Sequence, residues 1–283
     1  MAGLFIGIFV LLASVVLPLE AEEPSVRDLR VTDASGQVTL KTADHPKQAA
    51  VVDEETPLAA NDIVETGPKS SAELTMDGES VFKLQPGSRL QIKKLYQRNT
   101  LFELTEGAIV AKVQPASRPD QGLYLRMPTA VVAVRGTEFA AGTGAGVSHV
   151  GVFDEGHVAV GGVWGHEAVK LAPNQETQVT LSNVPQPPRR LAYFKKLKTQ
   201  MPRLRRRAAF WHKNWRRLSA VRRQAIRDRL ADPRSAKSQG FLRPPKPSPV
   251  RRAVHARRSH KQKSAARRSR PKQKRPANPI SPK

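Results

Sequence analysis

The sequence predicts a mainly β protein: a compact β-solenoid or rolled sandwich over residues 25–184, followed by one basic amphipathic helix and a disordered tail. Three observations carry this. Hydrophobic residues alternate with polar ones through the first two thirds of the chain, with turn residues every 8 to 12 positions. That alternation stops at Pro185-Gln186-Pro187-Pro188, a stiff linker. Charge changes sign there too: residues 1–188 hold 15 Lys and Arg against 22 Asp and Glu, and residues 189–283 hold 33 against 2. A mildly acidic body is thus joined to a strongly basic C-terminal part.

Residues 4–19 form an uncharged apolar run that Pro18 and Ala21 close. It is short for a membrane-spanning helix, and it suits a secretory signal peptide over residues 1–21, with an uncleaved inner-membrane anchor as the alternative. Export makes a periplasmic or secreted location the expectation. There is no cysteine, which excludes disulfides, thiol catalysis and thiolate metal sites.

Within the β region, strands are predicted at residues 38–40, 63–64, 72–76, 80–84, 90–92, 101–104, 108–113 and 123–127. Asp77-Gly78 lies between two alternating runs, and a two-residue hairpin needs φ > 0 at both positions. Pro86-Gly87 and Glu106-Gly107 read as further turns. Ala130 to Val134 is a buried strand that stops at Arg135, Gly136 and Thr137. Gly136 suits a bulge or sharp bend with φ > 0, after which Glu138 and Phe139 resume extended structure. Arg135 is expected to be a structural clamp, its guanidinium bonding carbonyls or a carboxylate from neighbouring strands. Further strands are predicted at residues 147–153, 157–160, 169–171 and 177–181.

Two patterns that could carry chemistry do not. The glycine-rich stretch 142–146 lacks the lysine and helix that a phosphate loop needs, and it reads as a hairpin tip. His149, His157 and His166 lack the spacing of a zinc site, so no metal or cofactor is expected. No nucleophile, base and acid set suggests hydrolysis, so the protein is read as a non-enzyme.

Residues 189–232 make a basic helical segment, with a helix over residues 203–230 in which Leu204, Ala208, Trp211, Trp215 and Leu218 recur at three and four residues. Arg205, Arg206, Arg216, Arg217, Arg222 and Arg223 occupy its other faces. With the tryptophans at the apolar boundary, it either lies on an anionic surface or packs its stripe on the acidic body. Residues 233–283 hold 17 Lys and Arg, nine prolines and no acid, the composition of a disordered polyanion-binding tail. After export its partners are anionic lipid, lipopolysaccharide or acidic wall polymers. Nucleic acid is a partner in vitro, or in the cell if the chain is not exported.

The motif VxxVRGTxF at residues 131–139 resembles the signature of the FecR domain, named after an envelope regulator of iron-citrate transport. Arg135, Gly136, Thr137 and Phe139 are its characteristic positions. The stretch LAANDIVETG, with Asp62, Thr66 and Gly67, is similar to the family's L-x-x-G-D-x-I-x-T-G turn, Asn61 standing where glycine is usual. SAELTMDGES, with Asp77 and Gly78, is similar to its hairpin motif. The resemblance spans roughly residues 35–180. It implies a periplasmic sensing or signalling module that binds an envelope protein or ligand, with these signature residues structural. FecR-type regulators also control a sigma factor through a cytoplasmic segment before the membrane span. Nothing of useful size precedes Leu4, so direct sigma control is not expected. A structural scaffold that cross-links acidic polymers is the alternative reading.

Overall fold

The computed structural model describes residues 26–231 apart from 47–48, 53–54, 117, 119–120 and 166. The expected signal segment and the basic tail therefore lie outside the described residues. The strands, in chain order, are β1 (Leu29–Ser35), β2 (Val38–Lys41), β3 (Ala49–Val51), β4 (Pro57–Leu58), β5 (Ile63–Thr66), β6 (Ser71–Met76), β7 (Ser80–Leu84), β8 (Arg89–Leu95) and β9 (Asn99–Lys112). There follow β10 (Gly122–Arg126), β11 (Ala130–Val134), β12 (Glu138–Gly144), β13 (Val147–Val152), β14 (Val158–Gly162), β15 (Val169–Leu171), β16 (Gln175–Val179) and β17 (Arg189–Arg190). Helices α1 (Lys195–Lys198), α2 (Met201–Asn214) and α3 (Ala220–Ala231) complete the chain.

Pairing sorts the strands into two leaves. One runs β4-β1-β6-β7-β9-β12-β13-β16-β17, antiparallel throughout. The other runs β3-β2-β5-β8-β9-β10-β11-β14-β15, antiparallel except for the parallel pair β9 and β10. This pairing selects the rolled sandwich from the two architectures that the sequence left open.

Strand β9 belongs to both leaves. Glu106 still pairs with Arg89 in the second leaf, whereas Gly107 already pairs with Thr143 in the first. The turn expected at Glu106-Gly107 is thus a bend within one 14-residue strand. Gly107 bends at φ +78, and a β-carbon there would stand 2.4 Å from Ser88 Oγ. Only glycine allows both.

Alternation on the strands sends one set of side chains into the space between the leaves. Phe82 of the first leaf meets Phe102 of the second edge-to-face, ring centroids 5.3 Å apart, within a core that also holds Leu29, Leu74, Val132 and Phe139. Burying each such side chain stabilises the fold by about 1.5–3 kcal/mol. The opposite set on the first leaf enters a second core. Val81, Val110, Ala140 and Phe153 of the leaf pack there against Phe194, Met201, Leu204 and Ala208 of the C-terminal segment.

The single helix expected over residues 203–230 is broken in two. Trp215 is extended, at ψ 131, and α3 restarts after Ser219, whose hydroxyl accepts the Arg222 amide at 3.2 Å. A serine in that place is a helix N-cap. Among the described residues no helix is long and apolar enough to cross a membrane.

Candidate functional site

Strands β1, β6, β12 and β16 carry acids at positions that point away from the sandwich core, where alternation alone would leave them in water. They are buried: Asp28, beside β1, and Glu138 are 0% exposed, Glu73 1% and Glu176 2%. An ionised carboxylate taken out of water needs a counter-charge and hydrogen bonds to compensate. Here the basic segment supplies most of them.

Arg189 Nε donates to Glu176 Oε1 at 3.1 Å, while the amides of Ala192 and Tyr193 donate to Oε2 at 3.0 and 2.9 Å. Arg205 Nε donates to Glu138 Oε1 at 2.6 Å. Its guanidinium also stands 3.2 Å from Asp154. Hydrogen bonding to Glu138, partly opposed by burial, raises the Arg205 pKa further above its ordinary value. Buried Arg207 donates from Nε to Glu73 Oε2 at 2.8 Å and from Nη2 to the Thr32 carbonyl at 2.8 Å. Arg203 reaches Asp33 at 2.7 Å and Glu73 at 2.8 Å. Asp28 bonds Arg30 of β1 and faces Arg223 at 3.4 Å.

The last contact lies at the end of the sandwich. Asp62, fully buried, accepts the amides of Ala43 at 3.1 Å and Ala59 at 2.9 Å. It also takes both arms of the Arg227 fork, at 2.6 and 3.1 Å. Bidentate pairing of this kind is the strongest that a carboxylate makes. Leu230 packs on the main core one turn further along α3.

The tryptophans join this contact instead of facing outward. The Arg30 guanidinium stands 4.1 Å from the Trp215 ring centroid, and that of Arg207 5.6 Å from Trp211. Of the two placements open for the segment, the stripe packs on the acidic body. Arg205 and Arg223 of the expected surface set are turned to carboxylates of the body. Arg206, Arg216, Arg217 and Arg222 are exposed. Arg217 donates to the Val26 carbonyl, and Arg216 to the Trp215 carbonyl at 3.1 Å.

The signature residues divide as well. Asp77 and Gly78 have φ of 53 and 74, as the hairpin requires, and Asn61 takes φ 68, where the motif it resembles usually carries glycine. Asn is among the few residues that tolerate that region. Thr66 Oγ1 donates to the Gln85 carbonyl at 2.7 Å, and the Gly67 amide donates to Gln37 O at 2.9 Å. Thr137 Oγ1 donates to the His157 carbonyl at 2.9 Å, and Phe139 lies in the main core. Gly136 has φ +74, and a β-carbon on it would stand 2.5 Å from Pro115 Cα. Arg135 departs from its expected role as a clamp. It is exposed and has no ion pair or hydrogen bond among the described residues. Pro115 packs against the bend at Gly136, and Arg135 turns to solvent beside it.

Placed in one structure, these motifs agree with an independent comparison. Residues 62–159 match the family model described as FecR protein. The FecR match runs from the buried Asp62 into β14, and so holds three of the buried acids, Asp62, Glu73 and Glu138. Asp28, Glu176 and every arginine of the basic segment lie outside it. No curated protein matches the chain. Two crystal structures of a candidate anti-sigma factor from Parabacteroides distasonis ATCC 8503 are similar at 19% identity, with a TM-score of 0.41, over 48% of this chain. The chain spans 62% of the length of those structures.

Among the described residues no group of three or more His, Asp or Glu side chains is placed to hold a metal ion. His149 stacks on Tyr193 with centroids 4.1 Å apart, and His166 lies outside the described residues.

Proposed function

We propose that the chain is a non-enzymatic sensing or signalling module of the cell envelope, whose FecR domain binds a protein partner or ligand and whose basic tail attaches it to an anionic surface. The observation that carries the reading is the FecR match over residues 62–159, since proteins of that family are regulatory and envelope-associated. The basic composition of residues 233–283 supports the second part, because phosphate-bearing surfaces attract such a segment in proportion to its charge.

The partner's place on this reading is the outer face of the second leaf around Tyr124, which is 40% exposed. Leu101, Tyr124, Val131 and Val163 line a shallow recess there between Lys94 and Arg126. Trp164 stands 79% exposed on the hairpin beyond β14. A photo-crosslinking residue in place of Tyr124, in intact cells, tests the assignment. One discrete envelope adduct is expected, and none from the same residue placed at Arg206. A reporter fused after Lys283 is expected to report export. A cytoplasmic signal would transfer the reading to nucleic-acid binding.

A further inference from the structure

We infer that the outward crest of the docked basic segment, formed by Arg206, Lys213, Arg216 and Arg222, is a contact surface for an anionic lipid bilayer, which it binds without inserting. The inference rests on the envelope reading above and extends it to a folded, oriented surface distinct from the tail.

The argument starts from helical geometry. On α2 the buried side is set by Met201, Leu204, Arg207 and Ala208. At 100° per residue, Arg206 and Lys213 share one direction nearly opposite that side. Arg203 and Arg205 flank the buried side and reach down to carboxylates. The segment has thus sorted its cations: those at the seam are neutralised by the body, and those at the crest are not. Arg206, Lys213 and Arg222 are exposed and have no ion pair among the described residues. Arg216, also exposed, bonds only a carbonyl. The exposed acids Glu79 and Asp228 have other neighbours. Glu79 faces His212 at 3.9 Å, and Asp228 accepts a bond from Gln224 at 2.8 Å.

On α2 the crest is the side turned away from the buried face. Flexible polyanions such as single-stranded nucleic acid are held in grooves that track their backbone with aromatic platforms for stacking. Cations on the outer side of a helix offer no such groove and suit a planar array of phosphates instead. Insertion is ruled out by where the aromatic rings lie. Trp211 and Trp215 are turned to Arg207 and Arg30, and Phe210 stacks edge-to-face on Trp211 at 5.1 Å. On α2 and α3 the exposed large apolar side chain among the described residues is Val221, too small to anchor a helix, and Tyr193, exposed before α1, is stacked on His149. Binding is therefore electrostatic, about fivefold per cation near an anionic leaflet and steeply weakened by salt.

The test uses the full chain with phosphatidylcholine vesicles, with and without phosphatidylglycerol. Arg206→Gln, Lys213→Gln, Arg216→Gln and Arg222→Gln are combined in one variant. Arg251→Gln, Arg252→Gln, Arg257→Gln and Arg258→Gln make a tail variant of equal charge. The crest variant is expected to lose at least about tenfold in partition to anionic vesicles, with its melting temperature kept. In the unaltered chain, bound vesicles are expected to protect Lys213 from an amine-acylating reagent and to leave Lys94 reactive, with no blue shift of tryptophan emission. Four results would overturn the inference: Lys213 equally reactive with vesicles bound, partition lost in the tail variant alone, an emission shift that reports insertion, or binding to soluble polyphosphate but not to vesicles. The Tyr124 adduct and the export reporter do not depend on the crest, where Arg206 serves only as the control position, so failure of the envelope reading shows separately.

Discussion

The two outer faces of the sandwich are built by the same alternation and end in opposite states. On the second leaf, outward acids are paired by cations of neighbouring strands: Glu65 of β5 by Lys41 and Arg89, Glu103 of β9 by Lys93 and Arg126. That face completes its own charge pairs and stays in water. On the first leaf, Glu176 has Arg189 of the neighbouring β17, whereas Glu73 and Glu138 lack enough cations on their own sheet. Lys112 helps Glu138 at 3.4 Å, and arginines from the C-terminal segment supply the rest. A strand pattern therefore states which side chains share a face. Whether that face is wet depends on whether its charges balance locally.

The largest effect that would break this contrast comes from removing the cover. A chain that stops after residue 188 loses Phe194, Met201 and Leu204, a burial worth about 5–9 kcal/mol. That equals the whole stability of an ordinary domain. It also leaves Glu73 and Glu138 without their arginines. Such a chain is expected to lose cooperative melting in calorimetry, whereas one that stops after residue 232 should melt as the full chain does. Equal melting of both would show that the segment is not part of the folded body.

Single arginines sharpen the same point. Arg227→Leu leaves the fully buried Asp62 without its cation, and Arg207→Leu takes the buried cation from Glu73, leaving only the half-exposed Arg203. Each is expected to cost about 3–5 kcal/mol, against less than about 0.5 kcal/mol for the crest substitution Arg206→Gln. Denaturant titration reads the difference, and equal costs would dissolve the division into inward and outward sets. Gly136→Val acts between the leaves, where β11 of the second passes to β12 of the first. Strain at φ +74 together with the contact to Pro115 is expected to cost about 1–3 kcal/mol. An unchanged melting temperature would refute that conformation.

Much of the fold was legible because its signals are local. Asp77-Gly78 announced a hairpin, and the run from Ala130 to Gly136 a strand and bend, since turn chemistry and alternation act over a few residues. β9 was read as two strands because Glu106-Gly107 has the composition of a turn. Only the partners on either side, Arg89 and Thr143, show that pairing continues through it. The break between α2 and α3 left one signal, Ser219 as a cap three residues before Arg222, and the apolar spacing on both sides concealed it. The acidic seam was hidden for a different reason. Glu73 and Arg207 are separated by 134 residues, and each taken alone has the look of a solvated charge. Arg207 does stand within the apolar stripe between Leu204 and Ala208, which is where a buried arginine would be sought. Arg135 misled in the opposite sense, since a cation that closes an apolar run suggests a clamp, and the packing of Pro115 on Gly136 leaves it outside.

The smallest effect concerns the margin of the covered face. His149 of β13 stacks on Tyr193, and burial, aided by the charge of Arg189 and opposed by Glu176, lowers its pKa below the ordinary 6.5. The unfolded chain then binds a proton more readily than the folded one. This contribution is complete above about pH 6.5 and declines as the pH falls from there toward the lower, folded-state value. The group is partly exposed, so the change should amount to about one or two degrees of melting temperature between about pH 7.5 and pH 5.5. His149→Phe keeps a ring against Tyr193 and removes the titration, so that increment should vanish. Arg189→Gln should shrink it, because one of the two causes is gone. A full-sized increment in the phenylalanine variant would mean that the acid sensitivity of the covered face does not reside in the histidine at its margin.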